Sequence, residues 1–525
     1  CVWLGMASHA WVKQYLDRHD LGDVMTRAIN ECVSAKAHDP YAFFSEKFTG
    51  LVAANGDIRK VVAREILDAM GKPTVEVDVH CYWNGAIKVM GTGDVGVGLS
   101  EAPEGSEAIV ELRDGVAEVY SGAGVSKAVN NVNTILGPLL LRMHAGEQVE
   151  CDTMLSDADE SPQKNTIGGN ALTATSVAVL HAGAASLRKP LWRHVNTVYA
   201  RMCEKPAPET FRMPAPMVAI IQAGKHRPSG GFKYNEICIM PTRDIPIAEG
   251  IRNVMAVFHA MPALLQTRFE ATGGFTVSAD GAFIPPVEKV DDAIALIKDA
   301  CAAVQLALGT HIFLAVDCAA SHYYDATARV YAVAEGQQVT SDAITDMYDK
   351  MLVAHPYIVV LEDPCAAEDY ETWKKVTEKL QSKCVLVGDQ LFNSNQTLVR
   401  QGCEEGWSNG LLLRLNQAGT FTDAMHCAQL VSAVNAKLIL SMRSQDTGSA
   451  SIIDMAVGLG AWAVRLGGAV HSERIAKLNQ MLRIDEALRE TEGLIAPWIV
   501  APDPATMPAE EAPAKGGKKP AGKKK

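Results

Sequence analysis

The chain has 525 residues, of which 48% are hydrophobic and 21% are charged, so the sequence predicts a globular protein with a sizeable core and two or three domains. The net charge of -12 argues against a general nucleic-acid binder, and no apolar run is long enough to span a bilayer. The 12 cysteines are scattered, without C-x-x-C or finger-like spacing, so we expect reduced thiols in a cytoplasmic protein and no zinc site.

Residues 1–58 have the pattern of short amphipathic helices. Trp11 and Tyr15 share one helical face, and Asp39-Pro40 ends one helix and can begin the next. Such helices need a partner to cover their apolar faces, and a second copy of the segment is the simplest one. An extension that packs on its own protein is the alternative interpretation.

The stretch "DPYAFFSEKF" in this segment resembles the dimerisation and docking module of the type II regulatory subunit of protein kinase A and of many cilium proteins. The resemblance implies a homodimer whose groove, within residues 10–50, binds an amphipathic helix of a ciliary scaffold protein. It also implies an address in the axoneme of a cilium or flagellum.

Residues 59–212 predict a small α+β domain. The stretch "VVAREILDAMGKPTVEVDVHCYW" contains a Gly-Lys-Pro turn followed by an alternating strand from Thr74 to Val79, and helical patterns such as "NALTATSVAVLHAGAASL" follow. In residues 213–498, apolar strands such as "YIVVLEDPCA" and "GLLLRLNQAG" alternate with amphipathic helices. This rhythm predicts a parallel sheet closed into an α/β barrel. Residues 499–525 are rich in Pro, Ala and Lys, and we expect a disordered tail with a basic end.

Three predicted strands of the barrel end in carboxylates, namely Asp317, Glu362 and Asp389. Strand ends of such a barrel meet at one face, where like charges repel unless a cation lies between them. Oxygen ligands alone suit a hard ion, so the pattern predicts a Mg²⁺ site. The alternative is that the acids are helix caps or turn residues.

The next strand ends supply Arg414, Arg443 and Arg465, together with Ser444. Guanidinium groups suit phosphate and carboxylate groups, so the site is predicted to bind a small phosphorylated acid. A ring of salt bridges between these arginines and the acids is the alternative.

The chain resembles the enolase family over residues 63–488. The motifs that carry the resemblance are "ILDAMGKPTVEVDV", "GDQL", "LLLRLNQAG" and "SERIAKLNQMLRIDEAL". The resemblance implies an α/β fold: a smaller α+β N-terminal domain followed by an enolase-like α/β barrel, here preceded by the short helical extension. It also implies a dimer and a Mg²⁺-dependent conversion of 2-phosphoglycerate to phosphoenolpyruvate.

The resemblance further assigns roles to single residues. It implies that Asp317, Glu362 and Asp389 bind the metal and that Ser100, in an altered loop, helps to bind a second ion. It implies that Arg443 and Ser444 bind phosphate and that Glu236, in "YNEICIMP", is a glutamate of the catalytic site.

The departures from the family fall on the catalytic residues. Arg414 stands where the family has its lysine base, and Arg465 stands where a second lysine holds the substrate carboxylate. Asp280 replaces the glutamate that acts as general acid. Met442 replaces a histidine and Gln390 an acidic residue, and His226 or Arg227 occupies the place of a loop histidine.

An arginine stays protonated and is a poor base, so we expect the family reaction to be weak or lost while Mg²⁺ and phospho-acid binding are retained. In this the chain is similar to the divergent, flagellar branch of the family, and a scaffold role is the favoured function. The alternative is an active phosphopyruvate hydratase of glycolysis. We expect neither nucleic acid nor a membrane as a partner.

Overall fold

The computed structural model describes residues 21–49, 54–96, 108–206, 211–227, 231–242, 245–334, 336–443 and 445–492. These residues form a pair of helices, a small α+β domain and a closed barrel. The calls on Ser100, Ser444, the first part of the helical extension and the tail at 499–525 lie outside the described residues.

The helical pair consists of α1 (Leu21–Ser34) and α2 (Pro40–Thr49). The carboxylate of Asp39 accepts hydrogen bonds from the backbone N–H groups of Tyr41 and Ala42, and this caps α2 next to its first-turn proline. An ion pair between Lys47 and Glu31 joins the two helices. The boundary that the sequence predicts at Asp39-Pro40 is therefore present.

The α+β domain begins with a three-stranded antiparallel meander of β1 (Ile58–Leu67), β2 (Pro73–Trp83) and β3 (Ala86–Asp94). Its helices are α3 (Ser126–Asn131), α4 (Gly137–Leu140), α5 (Gln148–Asp157), α6 (Gly169–Ser186) and α7 (Leu191–Met202). The alanine-rich α6 packs on β2 and β3. A side chain at Gly91 or Gly93 would meet the backbone of α6 at about 2.2 Å, so the glycines allow this close approach.

The second part contains thirteen described strands. They are β4 (Ala215–Gln222), β5 (Glu236–Pro241), β6 (Thr276–Val277), β7 (Phe283–Ile284), β8 (Ile312–Asp317), β9 (Tyr324–Asp325), β10 (Val330–Ala334), β11 (Gln337–Thr340), β12 (Ile358–Glu362), β13 (Val385–Gly388), β14 (Gly410–Leu413), β15 (Lys437–Ser441) and β16 (Ala463–Arg465). The helices are α8 (Ile247–Phe269), α9 (Val290–Ala303), α10 (Ser341–Ala354), α11 (Tyr370–Leu380), α12 (Gln396–Glu405), α13 (Leu415–Ala418), α14 (Phe421–Ala433), α15 (Ser451–Gly458) and α16 (Ser472–Glu492).

Strands β4, β5, β8 and β12 to β16 form a closed barrel, because β16 pairs with β4. The prediction of an α/β barrel behind a smaller α+β domain is confirmed. The prediction of a wholly parallel sheet is wrong in one strand, since β5 runs antiparallel to both β4 and β8. The sequence pattern misses this because a buried strand reads as the same apolar run in either direction.

The barrel strands are buried almost throughout, so the barrel is filled by side chains rather than hollow. A second apolar cluster lies between the meander and α6. Among the described helices, none combines the length and the apolar character that crossing a membrane requires.

Candidate active site at the mouth of the barrel

The acids named by the sequence meet at the carboxyl ends of the parallel strands. Asp317 and Glu362 are the last residues of β8 and β12 and lie opposite each other in the strand register. Asp389 follows β13 directly. A buried parallel strand delivers its last side chain to the mouth, which is why the sequence locates these three residues.

Glu236 reaches the same place by the opposite route. It is the first residue of β5, and because β5 is antiparallel, its amino end lies at the mouth beside Asp317. The reversed strand therefore adds a fourth carboxylate to the three that the parallel strands supply.

Glu236, Asp317 and Asp389 line an open cleft of about 770 Å³. The cleft is also lined by basic residues, namely Lys225, His226, Arg414, Arg443, Arg465 and Arg474. Its wall thus contains many acidic and basic side chains, and its chemistry depends on how these groups pair.

Arg465 crosses the mouth and pairs with three carboxylates at once. Its Nη1 donates to Glu362 Oε1, and its Nη2 donates to Asp317 Oδ2 at 2.9 Å. Its Nε and Nη2 also donate to Glu236 Oε1 at 3.3 and 3.2 Å. The Arg465 side chain is only 11% exposed, so these pairs lie in a poorly solvated place.

Arg414 pairs with the remaining acid. Its Nε and Nη2 donate to the two oxygens of Asp389, at 2.9 and 2.5 Å, in the two-pronged geometry that guanidinium and carboxylate groups prefer. Its Nη1 donates to the backbone oxygen of Met442 at 3.2 Å, and its backbone N–H donates to Ser394 Oγ. The guanidinium is therefore held in one orientation.

The pairing lowers the proton affinity of two of the acids, whereas burial raises the pKa of Glu362 although Arg465 opposes it. Burial opposes ionisation of Glu236, but Arg465 and two hydrogen-bond donors outweigh burial and lower the pKa of Glu236 to about 2. Burial also opposes ionisation of Asp389, but Arg414 outweighs it and holds the pKa of Asp389 below its ordinary value. Although burial acts against the charge of Arg414 and Arg465, the facing carboxylates raise the pKa of both.

Asp280 lies in a neighbouring network. Arg474 Nη2 donates to Asp280 Oδ1 at 2.7 Å, and Gln222 Nε2 donates to Asp280 Oδ2 at 3.3 Å. The same Gln222 nitrogen donates to Glu236 Oε2 at 2.6 Å. Asp280 is thus tied to the wall of the cleft on both of its oxygens.

The structure distinguishes His226 from Arg227, the two residues that could stand at the position of the family's loop histidine. His226 lines the cleft, and burial lowers its pKa. Arg227 instead donates to the backbone oxygen of Val287 at 2.8 Å and pairs with Glu288 at 3.1 Å. Met442, Arg443 and Gln390 line the cleft as the sequence order predicts.

The carboxylates have the right chemistry for Mg²⁺, but their arrangement does not fit the ion. Both oxygens of Asp389 accept from Arg414, and Asp317 accepts from Arg465 and Asn235 on Oδ2 and from the Ala319 N–H on Oδ1. Within the part of the chain that the structure describes, no group of three or more His, Cys, Asp or Glu side chains is placed to hold a metal ion. Of the two interpretations of the arginines, the geometry favours the salt-bridge ring for Arg414 and Arg465.

Sequence reasoning missed three residues that orient the cluster, namely Gln222, Asn235 and Arg474. The sequence contained a signal for Arg474, because it lies one turn before Leu478 in the helical pattern of α16. In the structure Leu478 is buried and Arg474 is only 2% exposed. An arginine on the buried face of a helix needs an acidic partner. Spacing cannot say which acid, and here it is Asp280, almost two hundred residues earlier in the chain.

Two family models match the chain. The model of the enolase N-terminal domain matches residues 58–195. The model of the enolase C-terminal TIM barrel domain matches residues 210–495, which is more than half of the chain. The two matches fall on the α+β domain and on the barrel with its ionic mouth.

Proposed function

The chain belongs to the enolase family, and from this premise we propose that it is a divergent member in which the family reaction, the conversion of 2-phosphoglycerate to phosphoenolpyruvate and water, is weak or lost. The proposal concerns the chemistry of the mouth, where the family's general base, general acid and histidine positions hold Arg414, Asp280 and Met442.

The pairing of Arg414 carries the proposal. A general base must hold a free electron pair near the pH of the reaction, and a guanidinium holds none. Here Asp389 raises the pKa of Arg414 further, against the effect of burial. The fork of hydrogen bonds to Asp389 also engages Nε and Nη2 of Arg414.

Asp280 adds a second obstacle. A carboxylic acid that protonates a leaving hydroxyl must reach it, and aspartate is shorter than glutamate by one methylene. Both oxygens of Asp280 are engaged by Arg474 and Gln222. A displacement of about 1 Å can lower a rate roughly a hundredfold, so two altered positions leave little turnover.

The anion-binding half of the cleft supports a retained ligand. Arg443, Lys225 and His226 line the cleft. We propose that this side takes a small phosphorylated acid similar to 2-phosphoglycerate or phosphoenolpyruvate. Mg²⁺, the cofactor that the family generally uses, would have to compete with Arg465 and Arg414 for the carboxylates.

A steady-state assay with purified full chain, 2-phosphoglycerate and Mg²⁺ tests the loss of turnover. We expect a kcat at least a thousandfold below that of an ordinary enolase measured alongside. Turnover within tenfold of the ordinary enzyme would contradict the proposal.

The active hydratase remains the second candidate, because the cleft is open and Arg443 lines it. Arg414→Lys separates the two candidates, with Arg64→Lys in the α+β domain as the matched control. We expect little gain from Arg414→Lys, since Asp280 and Met442 remain altered. A large gain would mean that only the base was missing.

We also propose that the protein has a scaffold role in a cilium or flagellum. In this role it is a cytoplasmic homodimer that docks through its N-terminal helices. The exposed apolar residues Ile29 and Val33 of α1 and Tyr41 of α2 support a docking surface. Deleting residues 1–58 and measuring the oligomeric state and the location in ciliated cells tests this role. Unchanged assembly and unchanged location would contradict it.

A further inference from the structure

We propose that Arg465 is the resident cation of the barrel mouth: its guanidinium occupies the position in which Asp317 and Glu362 would otherwise share a divalent cation, so that a side chain and not a metal ion bridges these acids. This inference concerns cation binding alone and does not depend on whether any turnover remains.

The contacts of Arg465 carry the inference. Its nitrogens donate to carboxylates from three different strands, namely Glu236 at the start of β5, Asp317 at the end of β8 and Glu362 at the end of β12. The three acids are each less than 9% exposed. Because a buried carboxylate is costly without a cation or donors around it, a cluster of three needs a bridging positive group, and Arg465 is placed as that group.

The guanidinium and a metal ion need the same oxygens. A magnesium ion binds oxygen at about 2.0–2.1 Å and demands near-octahedral geometry. Asp317 Oδ2 accepts from Arg465 and from Asn235, each at 2.9 Å, and Glu362 Oε1 accepts from Arg465. An ion between Asp317 and Glu362 would have to displace the guanidinium from both.

The shape of the side chain matters more than its charge. A lysine at this position would carry the same charge on a single nitrogen with three donors. Arg465 instead spreads its donors over Nε, Nη1 and Nη2 and uses all three nitrogens. An arginine can therefore close the gap between the acids, whereas an ammonium group leaves room beside it.

Arg414 completes the arrangement from the other side. Its bidentate pair removes both oxygens of Asp389 from the cluster. The two arginines together supply the charge of one divalent ion.

Binding of Mn²⁺ by the full chain, followed by the electron paramagnetic resonance of free Mn²⁺, tests the inference. We expect Arg465→Lys to bind Mn²⁺ at least tenfold more tightly than the wild type, and the double variant Arg465→Lys/Asp317→Asn to lose the gain. Arg64→Lys is the matched control, because Arg64 bridges two acids of the α+β domain, Glu76 and Asp78, and does not line the cleft. We expect this control to bind Mn²⁺ as the wild type does.

Two results would overturn the inference. In one, the wild type and a folded Arg465→Lys both bind Mn²⁺ with the same affinity, and in the other, neither protein binds it. If the variant does not fold, thermal unfolding of the wild type decides instead. We expect its midpoint to be the same in EDTA and in millimolar Mg²⁺, and a midpoint that rises with Mg²⁺ would contradict the resident-cation role.

Discussion

Two ionic regions of the barrel contain the same kinds of groups in opposite surroundings. At the mouth, Arg465 is 11% exposed and its acidic partners are 3–8% exposed. On the outer surface, Lys379 of α11 pairs with Asp346 and Asp349 of α10, and its side chain is 42% exposed. The neighbouring Lys375 of α11 and Lys383, which follows α11, also pair with acids of α10 and are similarly exposed.

The difference shows that burial, and not the number of salt bridges, decides how much a charged residue affects stability. A surface pair gains little, because water and salt screen it and because two long side chains must be ordered. A buried acid that loses its cation keeps its desolvation cost and gains nothing in return. A single substitution at the mouth is therefore expected to lower the free energy of unfolding. A single substitution is not expected to do so in the surface ladder, the ion pairs that Lys375, Lys379 and Lys383 make with acids of α10.

Removing the bridging cation is expected to have the largest effect. Arg465→Met leaves three buried acids without their common partner, and breaking such a cluster costs about 3–5 kcal/mol of the free energy of unfolding. Urea unfolding at neutral pH measures the loss. A loss below about 1 kcal/mol would mean that the cluster is solvated and that its burial does not matter.

Acid is expected to weaken the mouth by a smaller amount. The pKa of Glu236 is about 2 in the folded protein and has an ordinary value of 4.5, so its ion pairs stabilise the fold fully above pH 4.5. This stabilisation is lost as the pH falls from about 4.5 towards 2, and roughly 2 kcal/mol should be gone by pH 3.

The variant Glu236→Gln isolates this contribution, because it lacks the titrating group but fills the same space. Urea unfolding at pH 5 and pH 3 should show a smaller drop for the variant than for the wild type. Equal drops for both proteins would show that Glu236 does not carry the acid sensitivity.

The surface ladder is expected to change least. Lys379→Ala removes two exposed ion pairs, and we expect the midpoint of urea unfolding to stay where it is in the wild type, with or without added salt. A clear shift of the midpoint would show that the ladder acts as a network and would remove the contrast with the mouth.

The sequence predicts much of this site because parallel strands place their last residues at one face. Asp317, Glu362 and Arg465 end strands whose apolar runs are plain in the sequence, and their register brings them together. The position of Glu236 at the mouth was predicted from the family resemblance alone, because the reversed direction of β5 leaves no trace in its apolar pattern.

The pairing of the charges could not be predicted in the same way. Whether Arg414 and Arg465 face a metal or replace it depends on how far each side chain reaches across the barrel. That distance cannot be predicted from the spacing of the strands along the sequence. The link from Arg474 to Asp280 likewise joins the last helix to a loop far back in the chain. Local patterns give the position of each charge, and only the closed fold gives its partner.

A crystal of the full chain soaked in Mn²⁺, with an anomalous difference map collected at the manganese absorption edge, is the most direct test of the central claim. We predict no anomalous peak between Asp317 and Glu362 and a guanidinium of Arg465 bonded to both. A peak bound to these carboxylates at about 2 Å, with Arg465 turned away, would contradict the account.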